Sequence, residues 1–174
     1  MKIVGFMPRT SPAQLLGEPW SLLAACPYLV GKFDIKIIQS RKGVDFEADI
    51  INAARDTAIL GISCMTGYPI LEALRASQFA KTVNPSIKVV WGGWHPSACP
   101  EQVVENRVVD VAVVGQGERT FLELATAVQN GMPFNDIPGI VFKRGKEIVR
   151  NAPRPFENIN NFPPVPHEDR KSVV

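Results

Sequence analysis

Five times along this chain a short apolar run is followed by an amphipathic one, and few folds accommodate that rhythm. The apolar runs are KIVGFM (2–7), FDIKIIQS (33–40), AILGISC (58–64), IKVVWGG (87–93) and VDVAVVG (109–115). Four of them are apolar almost throughout, as strands are when helices cover both faces of a parallel sheet. The second alternates apolar with polar residues, which predicts one exposed face. Helix signals fill the gaps. Pro19 suits the first turn of a helix through SLLAACPYLV, because that turn leaves its N–H unused; Pro27 then kinks the helix or ends it early. Further helices are predicted over 46–55, over 69–83 with Asn84-Pro85 as the stop, and over 100–106. In ERTFLELATAVQNG (118–131), Phe121, Leu124, Ala125 and Val128 share one face and Gly131 is the C-cap. The pattern predicts an α/β fold: a doubly wound, parallel, five-stranded sheet of flavodoxin-like or Rossmann-like type, with strand order 2-1-3-4-5.

After Pro138 the style changes. GIVFKRGKEIVRN (139–151) predicts a β-hairpin turning at Arg144-Gly145-Lys146. The stretch 152–174 is dense in Pro and Asn, has no periodicity, and reads as an irregular tail or linker. The expected division is an α/β domain over 1–135 and a hairpin with linker over 136–174.

With 174 residues and 45% hydrophobic content, the chain fills one core. A net charge of +2 with scattered basic residues gives no reason to expect nucleic acid. No apolar run reaches the ~18 residues of a membrane span, and MKIVGFMPRT has no signal-peptide pattern, so the cytoplasm is the expected location. Cys26, Cys64 and Cys99 are odd in number and widely spaced, and no C-x-x-C occurs. With only His95 and His167 beside them, neither a disulfide framework nor a protein-held metal site is expected.

In open α/β sheets the ligand lies beyond the carboxyl ends of the strands. The first strand runs into Met7-Pro8-Arg9-Thr10-Ser11-Pro12, without the G-x-G-x-x-G of dinucleotide sites, and no P-loop pattern occurs anywhere. The third ends in Ser63-Cys64-Met65-Thr66-Gly67-Tyr68, where hydroxyls and a glycine serve equally a polar ligand tail or an ordinary turn. The fourth ends in Trp91-Gly92-Gly93-Trp94-His95-Pro96. Two successive glycines let a ligand lie against the backbone, or simply make a tight turn, and His95 is a contact or a plain loop residue. The fifth ends in Gly115-Gln116-Gly117-Glu118-Arg119-Thr120 as a helix opens, and the free N–H groups there attract acceptors. Together these ends would open a slot for a long, flat ligand with a threaded tail. A valine at Gly93 is expected to block that slot and leave the fold intact.

These residues resemble a known family. The run from Val89 to Val128 is similar to the cobalamin-binding N-terminal domain of cobalamin-dependent radical S-adenosylmethionine proteins. Gly92, Gly93, His95, Pro96, Glu101, Asp110, Gly115, Gly117, Glu118, Thr120 and Phe121 carry the likeness. The hairpin and NFPPVPHED (161–169) resemble that family's bridge to its radical domain. The resemblance implies cobalamin as cofactor, its nucleotide tail entering near Ser63, Thr66 and Gly67 and passing Gly92 and Gly93. His95 and the turn Gly115, Gly117 and Glu118 would border the slot. It also implies a radical domain of the same parent chain as partner. The chain has no Cys-x-x-x-Cys-x-x-Cys, so the iron–sulfur cluster and S-adenosylmethionine belong to that absent domain, and no catalytic residue is expected here. Methionine-synthase-like cobalamin domains carry Asp-x-His-x-x-Gly after the first strand; residues 8–17 contain no His, so that loop is expected to leave cobalt unligated. The competing readings are a nucleotide- or sugar-nucleotide-binding α/β domain using Gly115 to Thr120, and a cofactor-free flavodoxin-like interaction domain.

Overall fold

The computed structural model describes residues 1–13 and 18–165; the last part of the tail, including His167, lies outside them. Strands β1 (Lys2–Met7), β2 (Asp34–Gln39), β3 (Ile59–Ser63), β4 (Lys88–Gly92) and β5 (Val111–Val113) pair in parallel in the expected order. The hairpin strands β6 (Ile140–Arg144) and β7 (Glu147–Arg150) extend the same sheet antiparallel to β5, giving β2-β1-β3-β4-β5-β6-β7. The chain moves outward from β1 to β2 on one side and through β3, β4 and β5 on the other. That reversal opens a crevice at the carboxyl ends of β1 and β3.

Helices α1 (Trp20–Ala25) and α6 (Glu118–Asn130) cover one face, while α2 (Phe46–Ala54), α3 (Pro69–Val83) and α5 (Pro100–Glu105) cover the other. Successive strand residues feed opposite cores: Ile59 packs with Leu23, Leu124 and Ala125, whereas Leu60 packs with Ile50, Ala73 and Ala76. Small residues on the inner side of α3 let it sit close to the sheet. Ser77 among them takes the indole N–H of buried Trp91 at 3.0 Å.

α1 ends at Ala25, ahead of Pro27, as expected, because proline has no N–H with which to continue the helical ladder. Two other local outcomes differ from the sequence pattern. β5 is only Val111–Val113, shorter than its apolar run. The Asp110 carboxylate accepts from Val89 N at 2.7 Å and pairs with Lys81 at 2.7 Å, so the strand begins after this side-chain brace. And an extra helical turn, α4 (Trp94–Ala98), follows β4, with Ser97 N donating to Gly93 O at 3.1 Å.

The irregular tail is docked. Gln116 brackets Glu157, donating to its carbonyl at 3.1 Å and accepting from its N–H at 2.7 Å. Arg154 donates to buried Thr120 Oγ1 at 2.7 Å and pairs with Glu123. Arg119 pairs with Glu157 and lies 5.1 Å from the ring centroid of Tyr28, which meets Phe162 edge-on. The segment 151–165 thus crosses the first half of α6 towards α1 and has no regular structure beyond a 3-10 turn at Ile159–Asn161.

Candidate functional site

Backbone pairing continues past the ends of β3 and β4. Cys64 N donates to Gly92 O at 2.8 Å and His95 N to Cys64 O at 3.1 Å, so the two loops leave the sheet side by side. Gly93 sits in this crossing with φ 101°, a conformation only glycine adopts without strain. A Cβ there would stand 3.0 Å from Cys64 O, 3.2 Å from Cys64 N and 3.5 Å from Ser63 Oγ. This corrects the expectation for valine at Gly93: the side chain would collide with the protein's own backbone as well as fill the slot.

Ser63 Oγ donates to Ser21 Oγ at 2.7 Å, bringing the start of α1 against the end of β3. Thr66 Oγ1 and His95 Nδ1 lie 3.3 Å apart, so the third and fourth loops also meet through side chains. Ser97 Oγ donates to Gly93 O at 2.8 Å and accepts from Gly115 N at 3.0 Å, coupling the fourth loop to the fifth. Gly92 and Gly117 both lie near Val113: a Cβ on Gly92 would lie 3.8 Å from Val113 Cβ, and one on Gly117 3.6 Å from Val113 Cγ1. A Cβ on Gly67 or Gly115 would meet nothing within 4 Å. Glu118, opening α6, has a buried Oε2 with no hydrogen-bond partner.

The β1 side is held differently. Glu72, in the first turn of α3 and 3% exposed, accepts from Arg9 N at 2.9 Å, Arg9 Nε at 2.9 Å and Tyr68 Oη at 3.2 Å. Burial pushes its carboxyl up, but the bonds from Arg9 outweigh that and hold it below its ordinary value. Cys64, buried at the centre of the site, has its thiol pushed up to about 12 by burial, so it stays a neutral thiol. No cluster of three His, Cys, Asp or Glu side chains able to hold a metal occurs among the described residues.

Of the residues singled out in the sequence, Ser63, Gly92 and Gly93 are contiguous, Thr66 and His95 are paired, and Gly115 joins them through Ser97. His95 is half-buried on α4 and is not a plain loop residue. Other motif residues prove architectural. Asp110 braces β5, Glu101 pairs with Arg150 on β7, and Thr120 receives the tail. Sequence reasoning missed Ser21 and Ser97. Ser97 carried a readable signal, since a hydroxyl four residues after a glycine that opens a helix is placed to bond back to its carbonyl.

The pattern of the B12 binding domain matches residues 20–125, which is more than half of the chain. The chain belongs to the B12-binding domain family. It is 30% identical over 172 residues to an uncharacterized methyltransferase of Pyrococcus horikoshii, covering 94% of this chain and 37% of that protein. It is 35% identical over 112 residues to the anaerobic magnesium-protoporphyrin IX monomethyl ester cyclase of Rubrivivax gelatinosus, covering 61% of this chain and 20% of that one. The chain thus spans well under half the length of these relatives. Among solved structures, the radical S-adenosylmethionine methyltransferase TsrM from Kitasatospora setae with cobalamin and a [4Fe-4S] cluster bound superposes with a TM-score of 0.71 at 20% identity, over 94% of this chain and 31% of that one. That likeness shows the shared fold.

The residues present fit a cobalamin. Gly92 and Gly117 leave space at the strand ends that side chains would otherwise fill, and the orphaned Glu118 Oε2 is an acceptor for an amide or hydroxyl donor. Ser63 and Thr66 add hydroxyls at and beyond the end of β3. Cobalamin carries all of these partners: a nucleotide tail, hydroxyls and side-chain amides.

Proposed function

We propose that this chain is the cobalamin-carrying module of a larger cobalamin-dependent radical S-adenosylmethionine enzyme of methyltransferase or tetrapyrrole-cyclase type. The observation that carries the reading is the glycine-lined junction of β3 and β4, where Ser63, Gly92 and Gly93 meet within a chain of the B12-binding family. Cobalamin, when bound, supplies the cobalt chemistry. This chain's residues do the rest: Gly92 and Gly117 leave room for the tail, Ser63, Thr66 and Glu118 hydrogen-bond it, and Ser97 keeps the two glycine turns in register. The iron–sulfur cluster and S-adenosylmethionine are assigned to a radical domain of the same parent chain, to which 136–174 leads. The cytoplasm, where Cys26, Cys64 and Cys99 stay reduced, is its proposed location. The nucleotide-binding and cofactor-free readings are not favoured, because neither uses the Gly-Gly-x-His-Pro junction.

The test is an absorbance titration of the purified chain with hydroxocobalamin, followed by gel filtration. A red protein carrying close to one cobalamin per chain is expected. A colourless protein would overturn the reading for this chain.

A further inference from the structure

The turn between β5 and α6 has little of its own to hold it. Gly115 and Gly117 are two of the three residues directly ahead of the helix, Gly115 has φ 77°, and α6 opens without a side-chain cap. On one side Ser97 Oγ takes the Gly115 N–H at 3.0 Å. On the other side the hold comes from the tail. The Gln116 amide pairs with both backbone groups of Glu157, donating to its carbonyl at 3.1 Å and accepting from its N–H at 2.7 Å. Arg119 pairs with the Glu157 carboxylate. Arg154, with its side chain only 13% exposed, donates to Thr120 Oγ1 at 2.7 Å. The tail is threaded closely here: a Cβ on Gly139 would stand 3.3 Å from both Arg154 Cβ and Thr120 Oγ1. Gly115, Gly117 and Glu118, the residues assigned to the slot, thus alternate along the chain with Gln116, Arg119 and Thr120, which meet the tail.

We propose that the docked tail is a clasp on the rim of the slot: by holding Gln116, Arg119 and Thr120 it positions the Gly115–Glu118 turn for cobalamin, so that tail docking and cofactor affinity are coupled. This rests on the cobalamin reading. With the clasp open, the two glycines regain their backbone freedom, and a ligand must order them as it binds, at a cost in affinity. Coupling between two binding events is reciprocal, so bound cobalamin must in turn hold the tail down by the same factor. Gln116 and Arg154 are positioning residues in this scheme.

The experiment titrates the wild-type chain, Gln116→Met and Arg154→Met with hydroxocobalamin. Gln116→Met keeps the side chain's length and loses both bonds to Glu157; Arg154→Met weakens the clasp from the tail. Each variant is expected to bind cobalamin about five- to tenfold more weakly than wild type. A second measurement needs no variant and reads what a purely structural contact would not move. In the wild-type chain, cobalamin should slow hydrogen exchange at the Glu157 amide, followed by NMR, by about the factor that opening the clasp costs in affinity. In Gln116→Met that amide should exchange fast with or without cobalamin. Wild-type affinity in both variants, a loss confined to Gln116→Met, or a wild-type Glu157 amide indifferent to cobalamin would overturn the clasp while the cobalamin reading stands. A wild-type chain that takes up no cobalamin would overturn both.

Discussion

The ring of Phe121 occupies the space above Gly61 that any other residue's Cβ would need: a Cβ built there stands 3.0 Å from Phe121 Cζ. Gly61 lies in the middle of β3 and Phe121 in the first turn of α6, so this contact sets how closely α6 approaches the sheet beside the slot. Gly61→Val should therefore lower stability by about 1–3 kcal/mol through overpacking. Pairing it with Phe121→Leu should recover part of the loss. Urea unfolding of the two single variants and the double variant checks this; strictly additive losses would contradict it.

Gly93 and Gly92 should separate fold from binding. Gly93→Ala meets Cys64 O and an unfavourable φ, so it should cost about 1–2 kcal/mol in stability as well as cobalamin affinity. Gly92→Ala, with its nearest neighbour at 3.8 Å, should unfold within about 0.5 kcal/mol of wild type and still bind cobalamin about tenfold more weakly. Thermal unfolding alongside the titration reads both effects. A Gly93→Ala chain as stable as wild type would contradict the geometry.

His95 should leave cobalt alone. Its Nδ1 is engaged with Thr66 at 3.3 Å, and the proposed role is to join two loops. His95→Ala should bind cobalamin with an unchanged absorbance spectrum and a modest loss of affinity. A shifted spectrum would show that the imidazole reaches the metal.

Glu72 makes stability depend on acid. Its folded carboxyl lies below the ordinary 4.5, so as pH falls the unfolded chain takes up the proton first. Stability from the Arg9 pair is complete above the ordinary carboxylate range and is lost as pH drops through the lowered folded value. In Glu72→Gln the acid limb of the stability curve should be flatter. Removing the side chain in Glu72→Ala should cost about 1.5–3 kcal/mol at neutral pH, because it takes away the charged acceptor of Arg9, which keeps only Tyr68 and Pro12. Urea midpoints from neutral to acid pH test this, and parallel curves for wild type and Glu72→Gln would contradict it.

The sheet was legible because apolar runs of strand length alternate with helical periodicity, and β2 announced its half-exposed face in the pattern of Phe33 to Ser40. The hairpin was legible from Arg144-Gly145-Lys146, though nothing in its residues says that β6 would lie antiparallel against β5. The site was legible as residue types at strand ends and much less so as contacts. Ser21 lies 42 residues from Ser63, and Gly115, 18 residues on, donates to Ser97; these partners depend on tertiary placement, and only the bond of Ser97 back to Gly93 leaves a local mark. The tail was opaque for the same reason. Its polar anchors are single side chains on α6 and on Gln116 just before it, and they impose no periodicity on 151–165.

Gln116 holds Glu157 across 41 residues of sequence. During synthesis the turn at Gly115–Gly117 leaves the ribosome well before the segment that braces it. Until residue 157 has emerged and folded back, Gln116 has no backbone to grip and Arg119 no carboxylate. The order of translation thus sets an order of maturation: the strands and their glycine turns assemble first, and the rim at α6 is fastened only when the distant tail arrives.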